Sequence, residues 1–293
     1  MAEGDKMAKH IALYGKGGTG KTTIAANLSA ALAEAGWRVL LVGCSPTADS
    51  SHLIVGEATP CQLFGALPNP EGLDRDKIIT SGYRGIGCIE IGESSGTDYC
   101  VSRNLAAGLK LLKELAIIET YEPDFVIYDM PGNVGCAGEM MLPESADNLS
   151  LLVTTADFQS LFAANRLIGQ FSRSRRQSSL ALVANGSVSS FEDSFVADFA
   201  DQAGIKVAAA IPRSFAVRQS ELYGKTVIEA GPLSNHSYTY RKLARLVYEG
   251  GSQAYNQRNI EPLEAARLKE WAHEWGKRLG ELEFGIISDG AGI

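Results

Sequence analysis

Short apolar runs bounded by turn residues recur along the chain, and between them lie longer segments in which apolar positions return every three or four residues. The runs cover 10–14, 38–43, 87–91, 124–129, 149–154, 180–185 and 206–211; the helical pattern covers 21–36, 103–117, 137–147, 160–175, 191–204, 214–223 and 236–249. Near-continuous apolar runs read as strands buried on both faces, and their alternation with helices predicts an α/β fold with a doubly wound, mostly parallel sheet. Ligands then gather at the carboxyl ends of the strands. The stretch from Glu261 to Ile293 begins with Pro262 at a helix start and continues with Leu268, Trp271, Trp275, Leu279 and Leu282 at three- and four-residue spacing. Glu264, Glu270, Glu274 and Glu281 accompany the basic residues there, so the stripe is expected to dock on protein, on its own subunit or a partner, rather than on a membrane.

The first strand runs into Tyr14-Gly15-Lys16-Gly17-Gly18-Thr19-Gly20-Lys21-Thr22-Thr23, which fits the P-loop pattern G-x-x-x-x-G-K-[ST] from Gly15 to Thr22. At such a strand-to-helix junction the first backbone N–H groups of the helix have no partners within it, and with the positive end of the helix dipole they form an anion site. Gly17, Gly18 and Gly20 let the backbone approach phosphate oxygens, Lys21 reaches the terminal phosphates, and the Thr22 hydroxyl suits Mg2+. The fourth strand ends in Tyr128-Asp129-Met130-Pro131-Gly132-Asn133, which gives Asp129 the position of a carboxylate that holds a water of the Mg2+ shell. Asn185 also closes a strand; an amide there can cap a turn or read adenine edges.

With 293 residues, 45% hydrophobic and 21% charged, the chain can bury a substantial core. No Pro-, Gly- or Ser-rich linker divides it, so it is expected to form a tail over 1–9, one large domain over 10–250 and a helical extension over 251–293. The net charge of −7 argues against general nucleic-acid binding, and Arg173, Arg175 and Arg176 read as a solvated helix end. A polar start from Met1 to Lys9 and the lack of any run near 18 apolar residues predict a cytoplasmic protein without a membrane segment. Five cysteines, Cys44, Cys61, Cys88, Cys100 and Cys136, are then free thiols or ligands rather than disulfides. Cys100 and Cys136 each stand just before a helical segment, where the dipole and free N–H groups stabilise a thiolate; without a C-x-x-C pair, spacing alone leaves packing and ligation both open.

The second lysine of the loop, Lys16, gives it the form G-K-G-G-T-G-K-T, which resembles the deviant P-loop of the nitrogenase iron protein and of the partitioning and septum-positioning ATPases. In that class the early lysine reaches the nucleotide of the other subunit, so the resemblance implies a homodimer that closes on MgATP. The segment Gly43-Cys44-Ser45-Pro46-Thr47-Ala48-Asp49-Ser50 is similar to the first switch region of the nitrogenase iron protein family, with Ser45 where relatives carry an aspartate. The resemblance further implies that Cys100 and Cys136 of two chains hold one 4Fe-4S cluster on the dimer axis, and that Arg103 lies on the surface that docks a partner. Cys44, Cys61 and Cys88 read as packing residues. Asn185, Pro212, Arg213, Tyr240 and Arg241 match family positions around the adenosine, and Asp157 to Asn165 resembles the iron proteins of chlorophyllide reduction.

What the resemblance implies is an ATP-gated electron donor. It takes electrons from a ferredoxin or flavodoxin and passes them to a nitrogenase-like heterotetrameric reductase, in which the choice among dinitrogen, a tetrapyrrole ring and small organosulfur compounds resides. Lys16, Lys21, Asp49 and Asp129 provide charge and positioning for phosphoryl transfer, whereas Ser45 and Asn133 replace two aspartates of the relatives. A hydroxyl or amide positions water but is a poor general base, so nucleotide binding is expected to be intact and hydrolysis slow. Two other readings use the same loop: a positioning ATPase without a cluster, and a nucleotide-dependent assembly or regulatory protein with weakened turnover.

Overall fold

The computed structural model describes residues 8–63, 77–92, 101–132, 148–174, 179–249 and 260–284. Its eight strands are β1 (Lys9–Tyr14), β2 (Val39–Gly43), β3 (Thr80–Ser81), β4 (Gly87–Glu90), β5 (Phe125–Asp129), β6 (Leu149–Thr154), β7 (Ser179–Ser187) and β8 (Val207–Pro212). They form one sheet in the order β3-β4-β2-β5-β1-β6-β7-β8, parallel throughout except for β3 against β4. The first strand lies between β5 and β6, with Ile11 beside Ile127 on one side and Leu149 on the other. This central place follows from composition: Ile11 to Tyr14 are all buried, so the strand needs neighbours on both edges and layers on both faces.

Strand residues alternate between the two layers. Ala12, Tyr14, Leu40, Val42, Val126 and Tyr128 face one core, while Ile11, Leu13, Val39, Leu41, Phe125 and Ile127 face the other. The second layer holds α1 (Lys21–Glu34), α2 (His52–Val55), α8 (Val227–Ala230) and α9 (Asn235–Glu249). The first holds α3 (Val101–Glu114), α4 (Ile117–Tyr121), α5 (Phe158–Ser174), α6 (Ser190–Gln202) and α10 (Ala265–Phe284). A further helix, α7 (Phe215–Leu222), starts at Ser214, whose hydroxyl accepts from the Val217 N–H.

Seven strands lie where the apolar runs predict them; β3, only two residues long, carries no pattern to read. The helix expected over 103–117 is two helices, α3 and α4, separated at Ala116, whose φ of 49° is left-handed and ends the first one. Asp157 starts α5 two residues ahead of expectation, because its carboxylate accepts from the Ser160 N–H as a cap does. The expected helix over 137–147 lies outside the described residues.

The last helix differs from the tail reading at its start. It begins at Ala265 rather than at Pro262, because the Asn165 amide exchanges two hydrogen bonds with the backbone of Leu263 and holds the entry segment extended. Within the chain the first half of the stripe is docked: Trp271 and Trp275 are buried, whereas Leu279 and Leu282 are 49% and 64% exposed. Both indole N–H groups donate to Asp198 Oδ2 at 2.7 Å, and the Trp271 ring stacks on Phe195, so the helix is fixed to α6 of its own chain.

Candidate functional site

The carboxyl end of β1 leads into a loop whose glycines answer to contacts and dihedrals. A Cβ on Gly15 would lie 2.2 Å from the Val153 carbonyl oxygen, and Gly20 takes a φ of 91° immediately before α1. Neither a side-chain cap nor an acidic residue occupies the first turn of α1, so its N–H groups and dipole are left to an anion. Lys21 is buried and its Nζ donates to the carbonyls of Gly15 and Lys16, both at 3.1 Å. Burial pushes its pKa down, opposed by the charge of Asp129. A phosphate offers this ammonium a stronger acceptor than those carbonyls. Lys16 and Gly17 are exposed at the mouth of the loop.

Asp129 is the hub beneath that loop. Its Oδ2 accepts from the Thr22 hydroxyl at 2.6 Å and the Ser50 hydroxyl at 2.7 Å, while buried Oδ1 has no hydrogen-bond partner among the described residues. Burial raises the Asp129 pKa against the pull of those hydroxyls and of Lys21. An unpaired carboxylate oxygen beside a threonine hydroxyl and a phosphate-sized cradle fits Mg2+ and a water of its shell. Ser45, Thr47 and Asp49 stand nearby in a hydrogen-bonded row: the Ser45 and Thr47 hydroxyls are 2.6 Å apart, and Thr47 Oγ1 donates to Asp49 Oδ1 at 2.6 Å.

A pocket of about 350 Å3 opens beside the loop, and Gly18, Thr23, Asn185, Pro212, Arg213 and Tyr240 all line it. Four of the five residues expected around an adenosine are therefore brought to one cavity, next to the phosphate cradle. Asn185 is partly committed: its Nδ2 donates to the Thr19 carbonyl at 2.8 Å and ties β7 to the loop. Tyr240 forms a buried wall, and burial pushes its phenol pKa up. Arg241 does not join the pocket; its guanidinium pairs with Glu34 at 2.6 and 3.0 Å and bonds the Pro232 carbonyl, linking α9 to the far end of α1.

Asn133, Cys100 and Cys136 lie outside the described residues, and Arg103 falls in the first turn of α3. Among the described residues no group of three or more His, Cys, Asp or Glu could hold a metal ion, and no helix is long and apolar enough to cross a membrane. Cys44 and Cys88 are buried in the core, as expected of packing residues, with thiol pKa values raised by burial; Cys61 is only half-buried.

Several site residues escape a reading of the sequence. Glu221 accepts from the Thr23 hydroxyl at 2.6 Å, a bond that joins α1 to a residue 198 positions away, and it lines the pocket with Thr155, Ser214 and Arg218. Thr155 donates to Asp157, whose pKa burial would raise; hydrogen bonds from Thr155 and Ser160, with the charge of Lys16, hold it below the usual range instead. Glu90, fully buried, bonds Ser51 beside the Asp129 hub. Its signal was present, since a lone carboxylate interrupts the otherwise apolar run 87–91.

Comparison with known proteins bears on the family and the fold. The sequence model of the 4Fe-4S iron sulfur cluster binding proteins, NifH/frxC family, matches residues 9–275. Nitrogenase iron protein 2 of Paenibacillus durus is 35% identical over 291 residues, covering 98% of each chain. The nitrogenase iron protein of Methanospirillum hungatei JF-1 is 37% identical over 244 residues, 80% of this chain and 86% of that one. Among solved structures, the cell division ATPase MinD of Pyrococcus furiosus superposes with a TM-score of 0.62 at 21% identity, covering 83% of this chain and 99% of that chain. A ParA family ATPase of Chlorobium tepidum gives 0.60 at 20% identity, over 81% and 98%. These last two likenesses are of fold. Matched along nearly its whole length, and more than one-third identical to a relative of the same size, the chain belongs to the NifH/frxC family of 4Fe-4S iron-sulfur cluster binding proteins.

Proposed function

We propose that this chain is the ATP-dependent electron-donor component of a nitrogenase-like reductase, working as a homodimer. The observation that carries the reading is the family match over 9–275, which includes both Cys100 and Cys136. One thiol pair from each of two chains supplies the four thiolates that a 4Fe-4S cluster takes, and that cluster, when bound, supplies one-electron transfer. The reductant upstream is a ferredoxin or flavodoxin, and the acceptor is a catalytic partner docked over Arg103.

The chain's own residues do the gating. The loop amides and Lys21 take the phosphates of ATP, Thr22 takes Mg2+, Asp129 orients a water of its shell, and Asn185, Pro212, Arg213 and Tyr240 wall the adenosine. Lys16, exposed on one chain, is free to meet the nucleotide of the other. A Cβ on Gly132 would lie 2.7 Å from the backbone of Gly17, so the phosphate loop abuts the start of the segment that reaches Cys136 four residues later. A shift at the phosphates then moves that segment, a two-state coupling of the switch type.

Oxygen-free purification tests the reading. The expected product is brown, with about four iron atoms per two chains, and Cys100→Ser or Cys136→Ser abolishes the iron while leaving nucleotide binding intact. Colourless, metal-free protein would sink it. The rival reading, a nucleotide-dependent assembly or regulatory protein, draws on Ser45 and Asn133 at the two aspartate positions; it predicts partner capture with an ATP analogue and no cluster.

A further inference from the structure

Glu90 closes β4 at the carboxyl rim, with its Cα beside Gly43 at the end of β2. The side chain is wholly buried, and so is Cys88 two residues earlier on the same face, while Ile89 and Ile91 face the opposite layer. Its Oε1 accepts from the Ser51 backbone N–H at 2.7 Å and from the Ser51 hydroxyl at 2.6 Å. The adjacent Ser50, also fully buried, donates its hydroxyl to Asp129. Two consecutive serines thus clip the end of the Ser45–Ser51 segment to carboxylates on the two strands that flank β2. The segment needs such a hold, since Ala48 within it sits at a φ of 50°, a left-handed conformation that costs a residue with a Cβ.

The other carboxylate oxygen, Oε2, has no hydrogen-bond partner among the described residues. It fills the place a side chain at position 43 would take, since a Cβ on Gly43 would lie 1.8 Å from it. The ionisable groups that face Glu90 are Asp129 from β5, Asp49 from the clipped segment, Cys44 directly after β2 and Cys88 from its own strand. None of these brings positive charge. A divalent cation at Asp129 does, and it would reward a buried carboxylate that a neutral side chain of the same shape could replace for packing alone.

We infer that Glu90 is a positioning residue of the nucleotide site: through Ser51 it fixes the segment carrying Asp49 and Ser50 against Asp129, and so sets how much Mg2+ strengthens nucleotide binding. The inference rests on the proposed Mg-nucleotide site. It concerns a group that touches neither nucleotide nor metal.

The test measures affinity for a fluorescent ADP analogue, with Mg2+ and with EDTA, in the full-length chain and in Glu90→Gln, Ser51→Ala and Ser51→Thr. Tighter binding with Mg2+ in the unaltered chain supports the site itself; no binding, or no effect of Mg2+, defeats the site reading rather than the role of Glu90. The Mg2+-to-EDTA affinity ratio is expected to fall at least fivefold in Glu90→Gln and Ser51→Ala, on the order of one charged hydrogen bond, with affinity in EDTA changed less than twofold. Ser51→Thr, which keeps the hydroxyl, is expected to restore the ratio. A ratio unchanged in Ser51→Ala, or an equal loss with and without Mg2+, overturns the inference, and this arm stands even where Glu90→Gln fails to fold.

Discussion

At single residues the cost of burial falls on Glu90. Burial first, then the charges of Asp129 and Asp49, raise its pKa from 4.5 to about 7, against the two Ser51 hydrogen bonds. Between those values the folded chain holds a proton that the unfolded chain has released, so Glu90 makes stability fall as pH rises through the window and leaves it flat above about 7. The expected loss across the window is on the order of 3 kcal/mol. Urea unfolding of the unaltered chain and Glu90→Gln at several pH values checks this; parallel pH profiles would refute it. Ser45 poses a different question, because its hydroxyl is tied to Thr47 and offers no base to an attacking water. Steady-state ATP hydrolysis is expected to rise at least about tenfold in Ser45→Asp with Asn133→Asp; an unchanged rate would show that turnover is limited elsewhere. Lys21, Thr22 and Asp129 could be picked out in the sequence because a P-loop and a strand-end carboxylate are local patterns. Ser51, Glu221 and Glu90 could not be assigned, because their partners lie 39 and 198 positions away.

Elements translate those residues into position. Helix α1 begins at a left-handed glycine with no capping side chain, and β5 delivers Asp129 in register beside Leu13, one residue before β1 ends. Gly132 is where the two meet. In Gly132→Ala the added Cβ would press on backbone atoms of Gly17, which have no rotamer to yield, so the loop itself must shift. Overpacking of that kind costs about 1–3 kcal/mol, and nucleotide affinity is expected to fall about tenfold by calorimetry. Unaltered affinity would show that the loop and the segment after β5 move independently. Strand existence was legible from apolar runs, yet the break at Ala116 was not, because the apolar spacing continues across it into Ile117.

For the whole molecule, the relation between chain and cluster is one of stoichiometry. On the proposed function each chain would offer Cys100 and Cys136, half of the thiolates a 4Fe-4S cluster takes, so iron is expected only in a two-chain species, with about four atoms per pair. Native mass spectrometry of the oxygen-free protein reads both numbers together. Amino-acid order alone determined the α/β class, the phosphate loop, the strand-end Asp129 and the family likeness, because periodicity and motif spacing are written between near neighbours. Only the tertiary structure decided that β1 lies between β5 and β6, that Asn185, Pro212, Arg213 and Tyr240 wall one cavity while Arg241 turns away to Glu34, and that Glu90 clips Ser51 beside Asp129. Those outcomes depend on how the sheet orders its strands in space, and no local spacing encodes which distant side chains that order brings within hydrogen-bonding reach.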